Sequence, residues 1–247
     1  EEECEFYFHV CKYCANIRNY FLVSIGMVGN TITKFGTANQ KKRYLELFDK
    51  SQAIAGVAIT EPQAGSNING ISTKYRKSKN KFILSGEKRW ITLGGVANFF
   101  LVAANGKEGL LVFILDRLRL ESIKRSEIKP ILSNRGSHIA ELSFEGLELN
   151  SEDLLGENER ASNRALKTML MYGSTIASVA AIGMSQASLE EMVDYSKTRT
   201  QYGVKILEHQ LIQKMLGDAK TNICAGKLLS QEAFRKKRFG GMEASYT

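Results

Sequence analysis

Three short stretches of this chain carry residue types able to hold a flat polar ring or a phosphate. In residues 54–67, IAGVAITEPQAGSN, an alternating apolar run of Ile54, Ala55, Val57, Ala58 and Ile59 meets Thr60, Glu61 and Pro62 and empties into Gln63, Ala64, Gly65 and Ser66. The alternation reads as a buried strand. Proline cannot donate to a sheet ladder and glycine lets backbone come close to a neighbour, so the loop after it exposes amides and the hydroxyls of Thr60 and Ser66. A turn whose hydroxyls satisfy their own backbone would use the same residues. Residues 86–92, GEKRWIT, contain Trp90, the only tryptophan, a rigid plane that suits either a ligand ring or the core of a sheet. Residues 197–203, KTRTQYG, followed by EHQ at 208–210, supply Arg199. Its guanidinium can bind two phosphate oxygens at once, or serve as an ordinary surface cation.

A metal or redox site has one candidate. Cys11 and Cys14 form a CxxC with His9 nearby, but a single pair is half of a zinc site, and the surrounding FHVCKYCANI reads as a helix with small buried thiols. We expect no metal. His209 reads more simply as a hydrogen-bonded histidine than as a base.

The elements that must position these residues change character along the chain. Residues 1 to about 50 look helical: Phe6, Phe8, Val10, Tyr13, Ile17, Tyr20, Phe21, Ile25 and Val28 recur at mixed spacings of three and four, and Gly36 closes one segment before another starts near Thr37. From Ile54 to about Gly146, short apolar runs at 54–59, 82–84, 89–92, 99–103, 110–115 and 139–144 are separated by turns such as KSKN and NGKEG. That spacing argues for an antiparallel barrel or sandwich. From about Asn158 two long helices follow, the first marked by Leu166, Met169, Ile176, Val179, Leu189 and Met192, the second by Leu211, Met215, Ile223 and Leu228. Two helices cannot close a four-helix core, so partners are expected from further sequence or another subunit.

The totals narrow the class. With 247 residues, 43% of them apolar, there is enough material for a sizeable core, and the four cysteines are too few for a disulfide framework. No uninterrupted apolar run approaches the roughly 20 residues of a membrane span, and the start, EEEC, lacks a secretion pattern, so a cytoplasmic location without membrane contact is expected. A net charge of +8 permits attraction to phosphates, acidic carrier proteins or nucleic acid and does not choose among them. Its one cluster, Arg235, Lys236, Lys237 and Arg238, reads as a solvated helix face.

TEPQAGS and GEKRWIT together resemble the signatures of the acyl-CoA dehydrogenase family of flavoproteins, and KTRTQYG with EHQ is similar to a third. The stretch ITKFGTANQKKRYLELF and residues 133–149, SNRGSHIAELSFEGLEL, also resemble family segments. The resemblance covers nearly all of the chain and implies an α+β fold of helical segment, central antiparallel β-barrel and helical bundle. Residues 1–53 would end an amino-terminal helical domain, 54–156 form the barrel and 157–247 begin the carboxy-terminal bundle. Both helical domains would be incomplete, and the chain reads as an internal piece of a longer protein.

What the resemblance implies chemically is an FAD-dependent dehydrogenase that takes an α-proton and a β-hydride from an acyl thioester of coenzyme A or an acyl carrier protein, or carries out a related oxidation of a hydroxyacyl carrier thioester. Ile59 and Thr60 would bond the isoalloxazine edge, Trp90 would cover one ring face beside Ile91, and Thr92 would approach N5. Gly65 and Ser66 would meet the pyrophosphate. Arg199 would reach the pyrophosphate from a neighbouring subunit, with Gln201, Tyr202, His209 and Gln210 near the adenosine half, so a homodimer or homotetramer is implied. Ser66 and Ser174 would face substrate, and an electron-transfer flavoprotein is a possible acceptor. The match leans toward the branch acting on acyl carrier protein thioesters in polyketide pathways.

The departures are specific. Asn67 stands where the family usually has aspartate, and Leu93 where asparagine is common. Gly173 and Ser174 occupy positions where a minority of members place the catalytic glutamate and most place an arginine. No catalytic base is assigned; it is expected beyond Thr247, and this segment alone is not expected to dehydrogenate a substrate. Two other classes remain open at this level, a nucleic-acid-binding flavoprotein and a non-catalytic interaction module with the same fold.

Overall fold

The computed structural model describes residues 2–238, without the side chains of Lys237 and Arg238. It divides into two compact units, residues 19–173 and residues 1–18 with 174–247. The cut differs from the boundaries expected near 53 and 156; at the second, one helix, Glu159–Thr198, runs unbroken across the cut.

The helical start of the chain is shared between the two units. Helix α1 (Glu2–Tyr13) and most of α2 (Ala15–Tyr20) belong to the unit of 1–18 with 174–247, whereas a π-helix, Phe21–Gly29, and α3 (Asn30–Phe35) belong to the unit of 19–173, where the wider π turn is one reason the apolar spacing is mixed. Gly36 then ends the helix and Thr37 caps α4 (Ala38–Asp49) in a reciprocal box with Gln40. Gln40 does more than cap. Its amide also bonds the carbonyls of Glu152 and Leu154 at 2.9 and 2.7 Å, tying the helix to the end of the sheet.

The sheet has seven strands: β1 (Ala55–Ala58), β2 (Lys74–Ser78), β3 (Lys81–Ile91), β4 (Phe99–Gly106), β5 (Gly109–Leu115), β6 (Lys124–Glu127) and β7 (Ala140–Asn150), with a single turn, α5 (Arg117–Leu120), after β5. The expectation of an antiparallel sheet needs correction at one edge: β1 lies parallel to the first half of β4, Ala55 against Phe99 through Ala58 against Val102. A parallel pair needs a long crossover, and here the crossover carries β2 and β3. β2 then meets the far end of β4, again parallel, at Lys74 and Asn105. The remaining pairings, β2–β3, β3–β7, β6–β7 and β4–β5, are antiparallel.

The core sits on both faces of β4 and β5, which explains their continuous apolar runs. Phe100, Val102, Ala104, Leu111, Phe113 and Leu115 turn inward toward Phe82, Leu84, Leu142 and Leu149. The alternate residues Phe99, Leu101, Ala103, Val112 and Ile114 turn outward under Val28, Ile32 and Tyr44 of the helical segment and Ala165, Leu166 and Met169. The segment from the π-helix to α4 thus buries its apolar side on the sheet. Ser24 of the π-helix completes the join by bonding both the N–H and the C=O of Ala55, at 3.0 and 2.8 Å.

In the other unit, α6 (Glu159–Thr198), from Ser174 onward, and α7 (Gln210–Arg238) pack with α1. Lys12 pairs with Glu190 at 2.7 Å and Lys227 with Glu5 at 3.0 Å. Cys4 and Cys11 are buried in this packing, and desolvation pushes both thiols up to about 11, so they stay protonated at neutral pH. Helix α6 is long and apolar enough to meet the length and composition of a membrane span, but 56% of its most apolar window is buried inside the protein, as in a core helix. Met192, Leu211, Met215, Leu228 and Leu229 remain exposed. Arg235 is exposed and pairs with Glu232 at 2.7 Å, in keeping with a solvated face, while the side chains of Lys237 and Arg238 lie outside the described residues.

Gly86 marks a close crossing in the sheet. It sits at φ +149°, beside a register shift in the β3–β7 ladder, and a Cβ there would lie 2.5 Å from the Thr73 Cα. We predict that Gly86→Ala lowers unfolding stability by about 2 kcal/mol in urea titration; a shift below about 0.5 kcal/mol would show the crossing to be slack.

Candidate functional site

β1 ends at Ala58, and the chain leaves the ladder at Ile59 and Thr60. Their carbonyls are taken by β3 instead: Lys88 Nζ donates to Ile59 O at 2.9 Å, and the Arg89 N–H to Thr60 O at 2.9 Å. Glu61 and Ala64 then close a tight turn, each donating its N–H to the other's carbonyl at 2.9 and 3.2 Å. Beyond it Gly65 and Ser66 are exposed, and a Cβ on Gly65 would meet no atom of the chain within 4 Å.

The lysine also makes an ion pair. Lys88 Nζ lies 2.8 Å from Glu61 Oε1, and neither side chain has any exposed surface. Glu61 is held from several sides: Oε1 accepts the Thr73 N–H, and Oε2 accepts the Ser72 N–H, the Ser72 hydroxyl and the Gln63 amide. Burial pushes its pKa up, but the bonds from Lys88, Thr73 and Ser72 outweigh that and hold it down at about 2. Burial pulls Lys88 down to about 8, with Glu61 restoring part of the loss. Both groups are therefore charged at neutral pH.

Trp90 lies two residues further along β3. Strand alternation would turn it inward with Phe82, Leu84 and Lys88, but an irregularity between Lys88 and Ile91 breaks the parity. Trp90 takes a left-handed backbone, φ +61°, and its side chain swings out to 52% exposure while Ile91 goes inside. Such a conformation strains a bulky residue and persists only where its surroundings impose it. Trp90 is thus not a core residue of the sheet. Thr92 follows, half-buried, and Leu93 repeats the left-handed backbone at φ +62° with its N–H bonded to Ser137 O at 2.7 Å.

Seven of the residues expected at the site, Ile59, Thr60, Gly65, Ser66, Trp90, Ile91 and Thr92, therefore belong to two segments laced together by the bonds of Lys88 and Arg89. The others belong to the second unit. There Thr200–Gln201 and Val204–Lys205 form a two-stranded hairpin, β8 and β9, turning at Tyr202 and Gly203 with φ of 52° and 83°. The hairpin leaves Arg199, Gln201 and Tyr202 exposed, and Arg199 makes no ion pair among the described residues; its backbone is fixed by bonds to Tyr195 and Ile206. His209 and Gln210 follow at the start of α7, and Ser174 is exposed on α6.

Residues 56–147 match the middle domain of acyl-CoA dehydrogenases, and residues 163–246 match their carboxy-terminal domain. The chain belongs to the acyl-CoA dehydrogenase family. Among curated relatives it is 31% identical over 206 residues to a probable medium-chain specific acyl-CoA dehydrogenase 2 of Caenorhabditis briggsae, covering 80% of this chain and 50% of the relative. Among solved structures it is similar to a glutaryl-CoA dehydrogenase from Mycobacterium smegmatis in complex with FADH2, at TM-score 0.83 and 27% identity, covering 89% of this chain and 56% of the other. It is equally similar to the prolyl acyl carrier protein oxidase AnaB, at TM-score 0.84 and 27% identity, covering 93% and 61%. The chain spans about half the length of the C. briggsae relative.

Two departures from the acyl-CoA dehydrogenase pattern gain a structural meaning. Asparagine tolerates a left-handed backbone better than leucine does, so Leu93 carries strain that the common residue would relieve; its 5% exposure shows what the leucine gains in burial. At Gly173, a Cβ would lie 3.0 Å from the Met27 methyl and 3.1 Å from its sulfur. A glutamate at 173 would have to displace Met27.

Sequence reasoning passed over Lys88 and Glu61 even though both sit inside the quoted motifs. The missed signal was parity: Lys88 shares the inward set with Phe82 and Leu84, and a lysine on a buried face requires a counter-charge.

The pair yields a pH prediction. A carboxyl depressed from about 4.5 to about 2 contributes stability that is complete above 4.5 and is lost as pH falls through that range. Glu61→Gln should lower stability at pH 7 by about 3 kcal/mol, by leaving Lys88 buried and unpaired. The gap between variant and wild type should shrink steadily below pH 4.5 in paired thermal melts; a gap independent of pH would refute the assignment.

Proposed function

We propose that this chain is the flavin-holding part of an FAD-dependent dehydrogenase acting on an acyl thioester. The observation that supports it best is the lacing of Ile59 and Thr60 to the segment that turns Trp90 outward, because it sets a rigid aromatic plane beside polar backbone and an open glycine loop. A flat ring and a phosphate chain need that combination. The similarity to a relative solved with FADH2 supports the same reading.

In this reading the backbone at Ile59 and Thr60 would hold the polar edge of the isoalloxazine and Trp90 would cover a face, with Ile91 fixing the strand behind it. Gly65 and Ser66 would bring amides and a hydroxyl to the pyrophosphate. When bound, FAD supplies the hydride acceptor. Thr92 would place its hydroxyl at the redox-active part of the ring. Arg199, Gln201, Tyr202, His209 and Gln210 of a second copy would hold the rest of the dinucleotide, so the working protein would be a homo-oligomer. Gly173 has no side chain to take a proton, and no base is assigned.

A carrier-protein thioester is the second reading for the substrate, favoured by the similarity to AnaB. Comparing reduction of the flavoprotein by one acyl group presented on coenzyme A and on a carrier protein separates the two.

The experiment is titration of the purified chain with FAD, read by calorimetry and visible absorption. Arg199→Ala should weaken FAD binding at least about tenfold, the loss of one charge-assisted contact. Thr92→Ala should change dithionite reduction of the flavin more than it changes binding. Wild-type affinity in the arginine variant would remove Arg199 from the site.

A further inference from the structure

We infer that Lys88 is a positioning residue for the flavin, holding with Glu61 the register between the Ile59–Thr60 backbone and the outward-turned ring of Trp90. This rests on the reading that the loop after β1 binds FAD.

Stability alone does not account for the chemistry of the pair. A buried ion pair is typically no more stabilising than an apolar pair of the same volume, and Phe82, Leu84, Leu142 and Phe144 show that the sheet's interior is built for apolar side chains. What the lysine adds is reach. Its Nζ bonds a carbonyl one residue past the end of β1 and a carboxylate two residues further on, at 2.9 and 2.8 Å. The ladder between β1 and β4 stops at Ala58 and Val102. Past that point the loop's backbone answers to β3, through Lys88 Nζ on Ile59 and the Arg89 N–H on Thr60.

The same three residues of β3 then place the indole. Lys88 points in, Arg89 donates to Thr60, and Trp90 leaves the strand's alternation at φ +61°. Arg89 is itself fixed, by Glu141 on β7 at 2.8 Å and by the Trp90 ring, 5.2 Å from its guanidinium carbon. A shift of Lys88 along or across the strand therefore moves the loop carbonyls against the ring. Lys88 touches no reacting atom; it acts through Ile59, Thr60 and Trp90.

The network makes the idea testable without unfolding the protein. Glu61 keeps the bonds from Thr73, Ser72 and Gln63 when the lysine is removed, and a glutamine there, without the charge, keeps one acceptor oxygen for part of them while its NH2 cannot accept the rest. The double variant Lys88→Met with Glu61→Gln removes both charges together, so it should melt below wild type yet stay folded at the temperature of the binding assay. It should nevertheless bind FAD about tenfold or more weakly in calorimetric titration, with a displaced visible band for the flavin that does bind. A purely structural pair would leave affinity and spectrum unchanged in a folded double variant, and that result overturns the inference while the FAD reading stands. Wild-type chain that takes up no FAD overturns both. Should the double variant fail to fold, Glu61→Asp decides: it keeps the charge and draws the carboxylate back by one methylene, and unchanged FAD affinity and spectrum in that variant overturn the inference.

Discussion

A lysine and a glutamate without any exposed side-chain surface face each other between β3 and the loop that follows β1. Each would be expensive to bury alone, and each is made tolerable by the other together with a ring of backbone donors and acceptors. The constraint runs outward from there. Glu61 fixes residues 72 and 73 at the entrance to β2, Lys88 fixes the carbonyl after β1, and the strand that carries the lysine carries Trp90. Three separated segments of sequence thus share one ionic contact.

The sheet around it is a graded structure. β4 and β5 are buried on both faces and carry uninterrupted apolar runs, whereas β2 and β6 have only one or no residue turned fully inward. This difference decides what could be read in advance. The runs at 99–103 and 110–115 announce their strands, and Gly36, Thr37 and Gln40 announce the helix boundary through ordinary capping chemistry. KYRKS and KRSE announce nothing, because a strand solvated on most sides has no alternation to display. The runs at 82–84 and 89–92 turn out to be one strand, divided in appearance by the polar residues around Gly86. Nor could the parallel pairing of β1 with β4 be read locally, since it depends on where the crossover returns.

At the site, strand periodicity leaves one detail open. Trp90 on a regular strand would belong to the core, and both possibilities were open from sequence. The break in parity that exposes it is a backbone event, φ +61° at a bulky residue, sustained by contacts from β7 and the loop around Ser137. Nothing in the residue types of RWITL specifies it. Leu93, in the same left-handed region, goes against the local preference, so the surrounding fold imposes the geometry and the sequence accommodates it.

The chain contains one tryptophan, and the fold presents that indole half in water at the mouth of the loop. Its emission is therefore a native reporter with a single origin. The sequence also has nine tyrosines and twelve phenylalanines, yet selective excitation of the indole isolates this one locus. Whatever settles over that ring must announce itself as quenching or a spectral shift, without a label and before any turnover.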